Sequence, residues 1–338
     1  MTFVYRPVVG VTTERLEIDH QGDKLALWQK YSDQTPKQNA ATIIMAHGFG
    51  GTINHALLRY GDRFAEAGLR VILFDYRCFG QSSGWPRQWM SIQRRHEDYE
   101  RVIQWCKEQH TCDEHAIVLW GSSLSGGHVM DIASKNTSIA GVIAQAPFAD
   151  GKANTGSLKS ALPLLYSAIR DKWREKRNKY PYYIASIGYP GEVAAMSSAD
   201  AIPDDLWQQN IEANWENRIT PRVFLEIINW RPGLKTKDIQ CPLLVQVATK
   251  DVVTPPEPAQ AAAARAPLGK CINYDIEHFE IYHKEPFEQA ISHQLGFINE
   301  FIKLPLAHQR AHYREQKSAH VDKGQISGSS KDGSQAHE

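Results

Sequence analysis

A serine two residues after a glycine, placed where a buried apolar run gives way to helical spacing, can present its hydroxyl as a nucleophile. The run Ala116 to Leu119 leads into Trp120-Gly121-Ser122-Ser123-Leu124-Ser125-Gly126-Gly127, which puts Ser123 at that point. Gly121 lets the backbone turn tightly, and a turn that sharp wants small residues two positions to either side of its apex. Ser125 is small but is not the glycine that would complete Gly-x-Ser-x-Gly. A Ser/Gly-rich loop capping a helix has the same composition, so the other groups this chemistry needs must be sought. A serine hydroxyl is a poor nucleophile at neutral pH and requires a base within hydrogen-bond reach, itself oriented by a carboxylate. His278, in Ile276-Glu277-His278-Phe279-Glu280, is the preferred base. Asp251, in Thr249-Lys250-Asp251-Val252-Val253-Thr254-Pro255, is the preferred acid, with Asp150 as its rival.

The elements that would carry these groups read as follows. Arg15 to His20 and Lys24 to Tyr31 alternate in polarity and are joined by Gln21-Gly22-Asp23, a hairpin signal. Apolar runs of strand length follow at 41–46, 71–74, around Ile117, at 141–146, at 242–248 and from Cys271 to Ile276. Helical spacing occupies 57–67, closed by Gly68, then 92–107, the stretch from Leu124, a stretch near 258–266 and one from about 286 to 302. Uninterrupted apolar strands alternating with helices predict a doubly wound, mostly parallel α/β sheet covered on both faces. Between Gly151 and about Lys237 the strand signature lapses in favour of Trp, Tyr and Pro, which predicts a helical insertion. The expected organisation is therefore a first core part at 1–150, an inserted cap at 151–237, a second core part at 238–303 and a polar, disordered tail at 304–338.

The chain of 338 residues is long enough for such a core, and its 38 basic and 38 acidic residues balance. That balance gives no reason to expect nucleic acid as a partner. Neither a secretory signal nor a window of membrane-spanning length is apparent, so a cytoplasmic protein is expected. Five cysteines without paired spacing read as free thiols. Asn136-Thr137-Ser138 reads as a turn ending a helix. Cys112, Asp113 and His115 cluster, but on what reads as a solvated turn before the Ile117 strand, and no dinucleotide fingerprint follows any strand. No metal and no cofactor are expected.

The loop His47-Gly48-Phe49-Gly50-Gly51, the loop from Asp75 to Gly84, the turn Gly121 to Ser125 and the pair Asp251 and His278 together resemble the α/β-hydrolase fold over roughly residues 12 to 303. The resemblance is closest to serine hydrolases of the dienelactone-hydrolase-like and X-prolyl-peptidase-like branch. The chain departs from that pattern at Ser125 and Cys78, where glycine is commoner. Leu124, at a helix start, offers one backbone N–H to an oxyanion. The resemblance implies that the N–H of Phe49 is the second donor, that His47 organises its loop, and that the order Ser123, Asp251, His278 is the catalytic one. Asp75 and Arg77 read as loop braces and Cys78 as a buried, inert thiol.

These residues predict a serine hydrolase that cleaves an ester-like acyl bond of a small, largely apolar substrate through an acyl-enzyme. A thioesterase or an acyltransferase acting on a carrier-linked acyl group would use the same residues, as would a carbon–carbon bond hydrolase or a peptidase. A ligand receptor on a hydrolase scaffold is the non-enzyme alternative. Oligomeric state stays open, a homodimer included. The cap contributes Trp173, Tyr180, Tyr182, Tyr183, Trp207, Trp215, Phe224 and Trp230 to pocket or core, and the charged stretch Arg170 to Lys179 reads as a solvated cap face.

Overall fold

The computed structural model describes residues 8–54, 56–153, 158–197 and 215–304. Its first elements are strands β1 (Val11–His20) and β2 (Asp23–Ser32), paired antiparallel with His20 opposite Asp23. The two turn residues Gln21 and Gly22 both have positive φ, 51° and 84°, the backbone whose twist matches a tight hairpin. The hairpin is longer than its polarity alternation suggested.

The sheet then follows the apolar runs: β3 (Ala40–Ala46), β4 (Arg70–Phe74), β5 (Cys112–Ser122), β6 (Gly141–Gln145), and later β9 (Leu243–Ala248) and β10 (Gly269–Tyr274). The eight strands lie in the order β1-β2-β4-β3-β5-β6-β9-β10, parallel from β4 to β10. Neighbouring residues of each central strand point to opposite faces, and both faces are covered. Ile44, Ile72, Leu119, Val142 and Val245 pack on the side of helices α2 (Ile92–Lys107) and α3 (Leu124–Ala133). Ile43, Val71, Val118, Ile143 and Leu244 pack on the side of α1 (Leu57–Glu66) and of the last helix, Lys284–Ile298. Burial on both sides is why these strands read as continuous apolar runs.

Four details differ from expectation. Strand β5 begins at Cys112, which pairs with Ala40 and is buried, so Cys112 is not part of a solvated turn. An irregularity between Ala40 and Thr42 skips residues 113–116, which hid the start of the strand. The segment after β6 contains helix α4 (Leu158–Lys176) and also two three-residue strands, β7 (Ala185–Ile187) and β8 (Ala194–Met196), too short to show a period. Asp171 of α4 is fully buried and takes Arg222 bidentately, at 2.5 and 3.0 Å, so the charged stretch is not wholly a solvated face. The last helix turns π-helical over Asn299–Lys303. Trp207, and the expected tail apart from Leu304, lie outside the described residues.

The remaining helix of the core, α5 (Pro256–Arg265), follows β9, and the last helix, Lys284–Ile298, is α6. Asn136 accepts from the N–H and hydroxyl of Ser138 at 3.0 and 2.7 Å, which forms the expected turn after α3. No described helix is long and apolar enough to cross a membrane.

Candidate active site

Ser123 joins β5 to α3 with φ 56° and ψ −124°, a conformation non-glycine residues rarely adopt. The surroundings hold it there. Its N–H donates to Gln145 O at 2.9 Å, and its carbonyl accepts from the N–H groups of Gly126 and Phe148 at 3.0 and 2.9 Å. Gly121 is required by contact: a Cβ there would lie 2.2 Å from the Ser125 carbonyl oxygen. Backbone cannot retreat as a flexible side chain can. Gly121→Ala should therefore destabilise the protein by about 3 kcal/mol, read as a lower melting temperature, and an unchanged melt would show that the turn relaxes easily.

His278 stands on the loop after β10, and Asp251 on the loop after β9, both at the C-terminal edge of the parallel strands. Three side chains from separated parts of the chain thus meet. His278 Nε2 is 3.2 Å from Ser123 Oγ, and His278 Nδ1 is 2.5 Å from Asp251 Oδ2. A carboxylate only accepts, so Nδ1 carries the proton and Nε2 is left to accept from the serine hydroxyl. Asp251 is fixed in turn: Oδ1 accepts from the N–H groups of Val253 and Thr254 at 2.8 and 2.7 Å, and Oδ2 lies 2.7 Å from the Thr254 hydroxyl. Thr254 was not foreseen as a site residue, although a threonine three positions after an aspartate is a recognisable side-chain turn. Ser123 and His278 are both buried, Ser123 retaining 8% of its surface.

The rival acid is elsewhere. Asp150 takes Arg231 bidentately at 2.8 and 2.6 Å, and that pairing holds its carboxyl below the usual range.

The loop after β3 lies against Ser123, since a Cβ on Gly48 would be 3.0 Å from Ser123 Cβ. Phe49 follows, its ring stacked on Phe224 with centroids 6.1 Å apart. Leu124 is the first residue of α3, where helical N–H groups lack intrahelical partners. His47 is buried beside Tyr76, and its Nδ1 donates to Gly48 O at 3.1 Å. Asp75 accepts from the N–H groups of Ile53 and Gln81, and Arg77 binds Asp98, Glu97 and Gln21. Burial raises Asp75 to about 6. Cys78 is buried and its thiol pushed up to about 11, the signature of an unreactive group. It sits at φ 72°, which explains why glycine is commoner at that position in the resembled pattern.

The Ser125 hydroxyl reaches out of its own helix: it donates to His47 O at 2.7 Å and lies 2.5 Å from the Tyr76 hydroxyl. With its one proton given to His47, Ser125 Oγ accepts from Tyr76. Ser125→Gly would remove both of these buried hydrogen bonds and should cost about 2 kcal/mol. Ser125→Val, which adds volume at a fully buried point, should melt lower still. If valine melts no lower than glycine, the site is less tightly packed than these contacts require.

Beneath the site, Gln294 of α6 donates to Gln145 Oε1 and Gln246 Oε1 at 2.8 and 2.5 Å, and Ser122 Oγ lies 2.5 Å from the Tyr282 hydroxyl. This buried polar layer ties α6 to β6 and β9, and Tyr282, just before α6, to Ser122. Of the aromatic residues after Asp150, Trp230 is core, stacked on Phe148 and donating to Asp131 at 2.7 Å. Trp215 donates to Gly50 O at 2.7 Å, and the Tyr183 hydroxyl to Arg87 O at 2.9 Å. Trp173 and Tyr180 are instead largely exposed, with the Arg177 guanidinium over the Trp173 ring. Among the described residues no three His, Cys, Asp or Glu side chains are grouped to hold a metal ion.

Comparison with known proteins places these observations in a family. The sequence model described as serine aminopeptidase, S33 matches residues 37–289. The quorum-quenching protein AidA of Acinetobacter baumannii is 34% identical over 273 residues, which cover 80% of this chain and 90% of that protein. A protein of Aspergillus aculeatus named thiohydrolase aneE is 22% identical, over 78% of this chain and 86% of its own. Among solved structures, the α/β hydrolase GrgF from a Penicillium species superposes with a TM-score of 0.74 at 22% identity, covering 86% of this chain and 99% of that one.

Proposed function

Because the chain belongs to the serine aminopeptidase S33 family of α/β-hydrolases, we propose that Ser123 attacks an acyl carbonyl and carries the acyl group as an ester intermediate. The observation that supports this most is the hydrogen-bonded relay from Ser123 through His278 to Asp251, at 3.2 and 2.5 Å. His278 Nε2 takes the serine proton during attack and delivers it to the leaving group. Asp251 holds the imidazole in the required tautomer and stabilises the imidazolium. The N–H groups of Phe49 and Leu124 receive the oxyanion. Water, activated by the same imidazole, then releases the acid.

The segment 151–237 is read as a cap that shapes the acyl site, with Phe224 standing over Phe49 and giving the acyl chain an apolar wall. The substrate is accordingly a small, largely apolar acyl ester. A second reading, a thioester or a carrier-linked acyl group, has one specific support: the relative named a thiohydrolase. The relay is the same for both, because an oxygen or a sulfur leaving group departs from a tetrahedral intermediate of the same kind and leaves the same acyl-enzyme.

Reaction with a fluorophosphonate probe tests the nucleophile, and panels of oxygen esters and thioesters of graded acyl length test the substrate class. Labelling should fall on Ser123 and vanish in Ser123→Ala. Turnover should favour oxygen esters with apolar acyl chains, whereas preference for the thioesters would select the second reading. Labelling without turnover of any member of either panel would leave a ligand receptor as the better account.

A further inference from the structure

The buried arginine beneath the Gly48 loop has no role in the relay. Arg95 projects from α2 into the core, where it is 2% exposed. Asp98, three residues further along the helix, is hydrogen-bonded by Arg77. The guanidinium lies instead over the Tyr76 and Phe79 rings, 4.2 and 5.1 Å from their centroids. Its Nη1 donates to Gly48 O at 3.1 Å, and its Nε and Nη2 have no hydrogen-bond partner among the described residues. Burial lowers its pKa to about 10, so the charge persists at neutral pH. A buried cation without a salt-bridged carboxylate is costly.

Gly48 O belongs to the peptide whose N–H is that of Phe49. In a trans peptide the C=O and N–H point in opposite directions, so whatever fixes one fixes the other. Gly48 O accepts from Arg95 and also from His47 Nδ1 at 3.1 Å, while elsewhere in the loop Ser125 holds His47 O and Trp215 holds Gly50 O. We propose that Arg95 is a positioning residue for the oxyanion donor: its charge on Gly48 O turns the Phe49 N–H away from α2 and polarises that peptide, strengthening the donor. A cation at the carbonyl end draws electron density along the amide and leaves the N–H more positive, in a water-poor environment where such an effect is least screened. The inference rests on the reading of Ser123 as nucleophile and of the Phe49 N–H as oxyanion donor.

The test is steady-state kinetics of Arg95→Met and Arg95→Gln on an ester turned over by the parent and on the matching thionoester, whose developing sulfur anion relies less on N–H donors. Arg95→Met removes both bond and charge and should lower kcat about a hundredfold with KM within about twofold. Arg95→Gln keeps a donor without the charge and should lose about tenfold. In both, the preference for oxygen over sulfur should shrink in step with kcat, which a merely loosened core would not produce. If Arg95→Met does not fold, Arg95→Gln alone decides. A folded variant with parental kcat, a loss confined to KM, or equal losses on ester and thionoester would overturn the proposal. Loss of Ser123 labelling by fluorophosphonate in the parent is a separate result, and it would overturn the nucleophile reading instead.

Discussion

Replacing Ser123 by alanine should lower turnover at least about a thousandfold while leaving the melting temperature within a few degrees of the parent. The two halves of that expectation have different causes. The strained backbone at Ser123 is set by bonds to Gln145, Gly126 and Phe148, all made by main-chain atoms that alanine retains. The side chain gives only a hydroxyl, whose side-chain partner is His278 Nε2 at 3.2 Å. On the proposed mechanism, removing it abolishes the covalent step and leaves the donors that polarise the carbonyl, so a small residual rate over water should remain. Ser122→Ala is the matched control. Its hydroxyl faces Tyr282 and Gln145 inside the fold, so that variant should lose stability rather than chemistry. Single-turnover acylation and thermal melting of both variants separate the effects, and full acylation by Ser123→Ala would end the nucleophile reading.

Much of this arrangement was legible in the residues themselves. Buried parallel strands must be apolar on both faces, so 41–46, 71–74 and 242–248 read as strands within about a residue of β3, β4 and β9. The relay was legible because chemistry restricts it to few residue types and because parallel strands deliver their C-terminal ends to one edge. What the sequence hid is what depends on contact between distant segments. Arg95 follows Arg94 in α2 and is not told apart from it by spacing alone; only the packing of α2 under the Gly48 loop turns its charge inward. Ser125 reads as a local cap, whereas its bond crosses to His47, 78 residues away. Strand β5 began five residues earlier than Ile117 because an irregular register interrupts its pattern. Asp171 reads as one charge among many until Arg222 arrives from the other end of the segment.

Asp251→Asn should cost about ten-thousandfold in turnover, and Asp150→Asn no more than a few-fold. The two aspartates differ in what an amide can still do. Asp251 Oδ1 accepts from two backbone N–H groups, so the asparagine carbonyl must take that side and its NH2 must face His278. An NH2 can only donate there, which forces Nδ1 to accept and moves the ring proton to Nε2. The imidazole then presents N–H to Ser123 and cannot take its proton. The fold should survive, since both backbone bonds are kept. At Asp150 an amide still accepts from Arg231 but no longer answers its charge. Because Arg231 holds the Asp150 carboxyl low, that pairing contributes above the ordinary carboxylate pKa and is lost as pH falls through the lowered value. Asp150→Asn should thus lower stability slightly at neutral pH and remove that part of the acid-side decline, with the chemistry nearly intact. Rate profiles of both variants, recorded beside acid titrations of stability, test the assignment. An active Asp251→Asn together with an inactive Asp150→Asn would transfer the orienting carboxylate to Asp150, and the 2.5 Å contact with His278 would have no catalytic meaning.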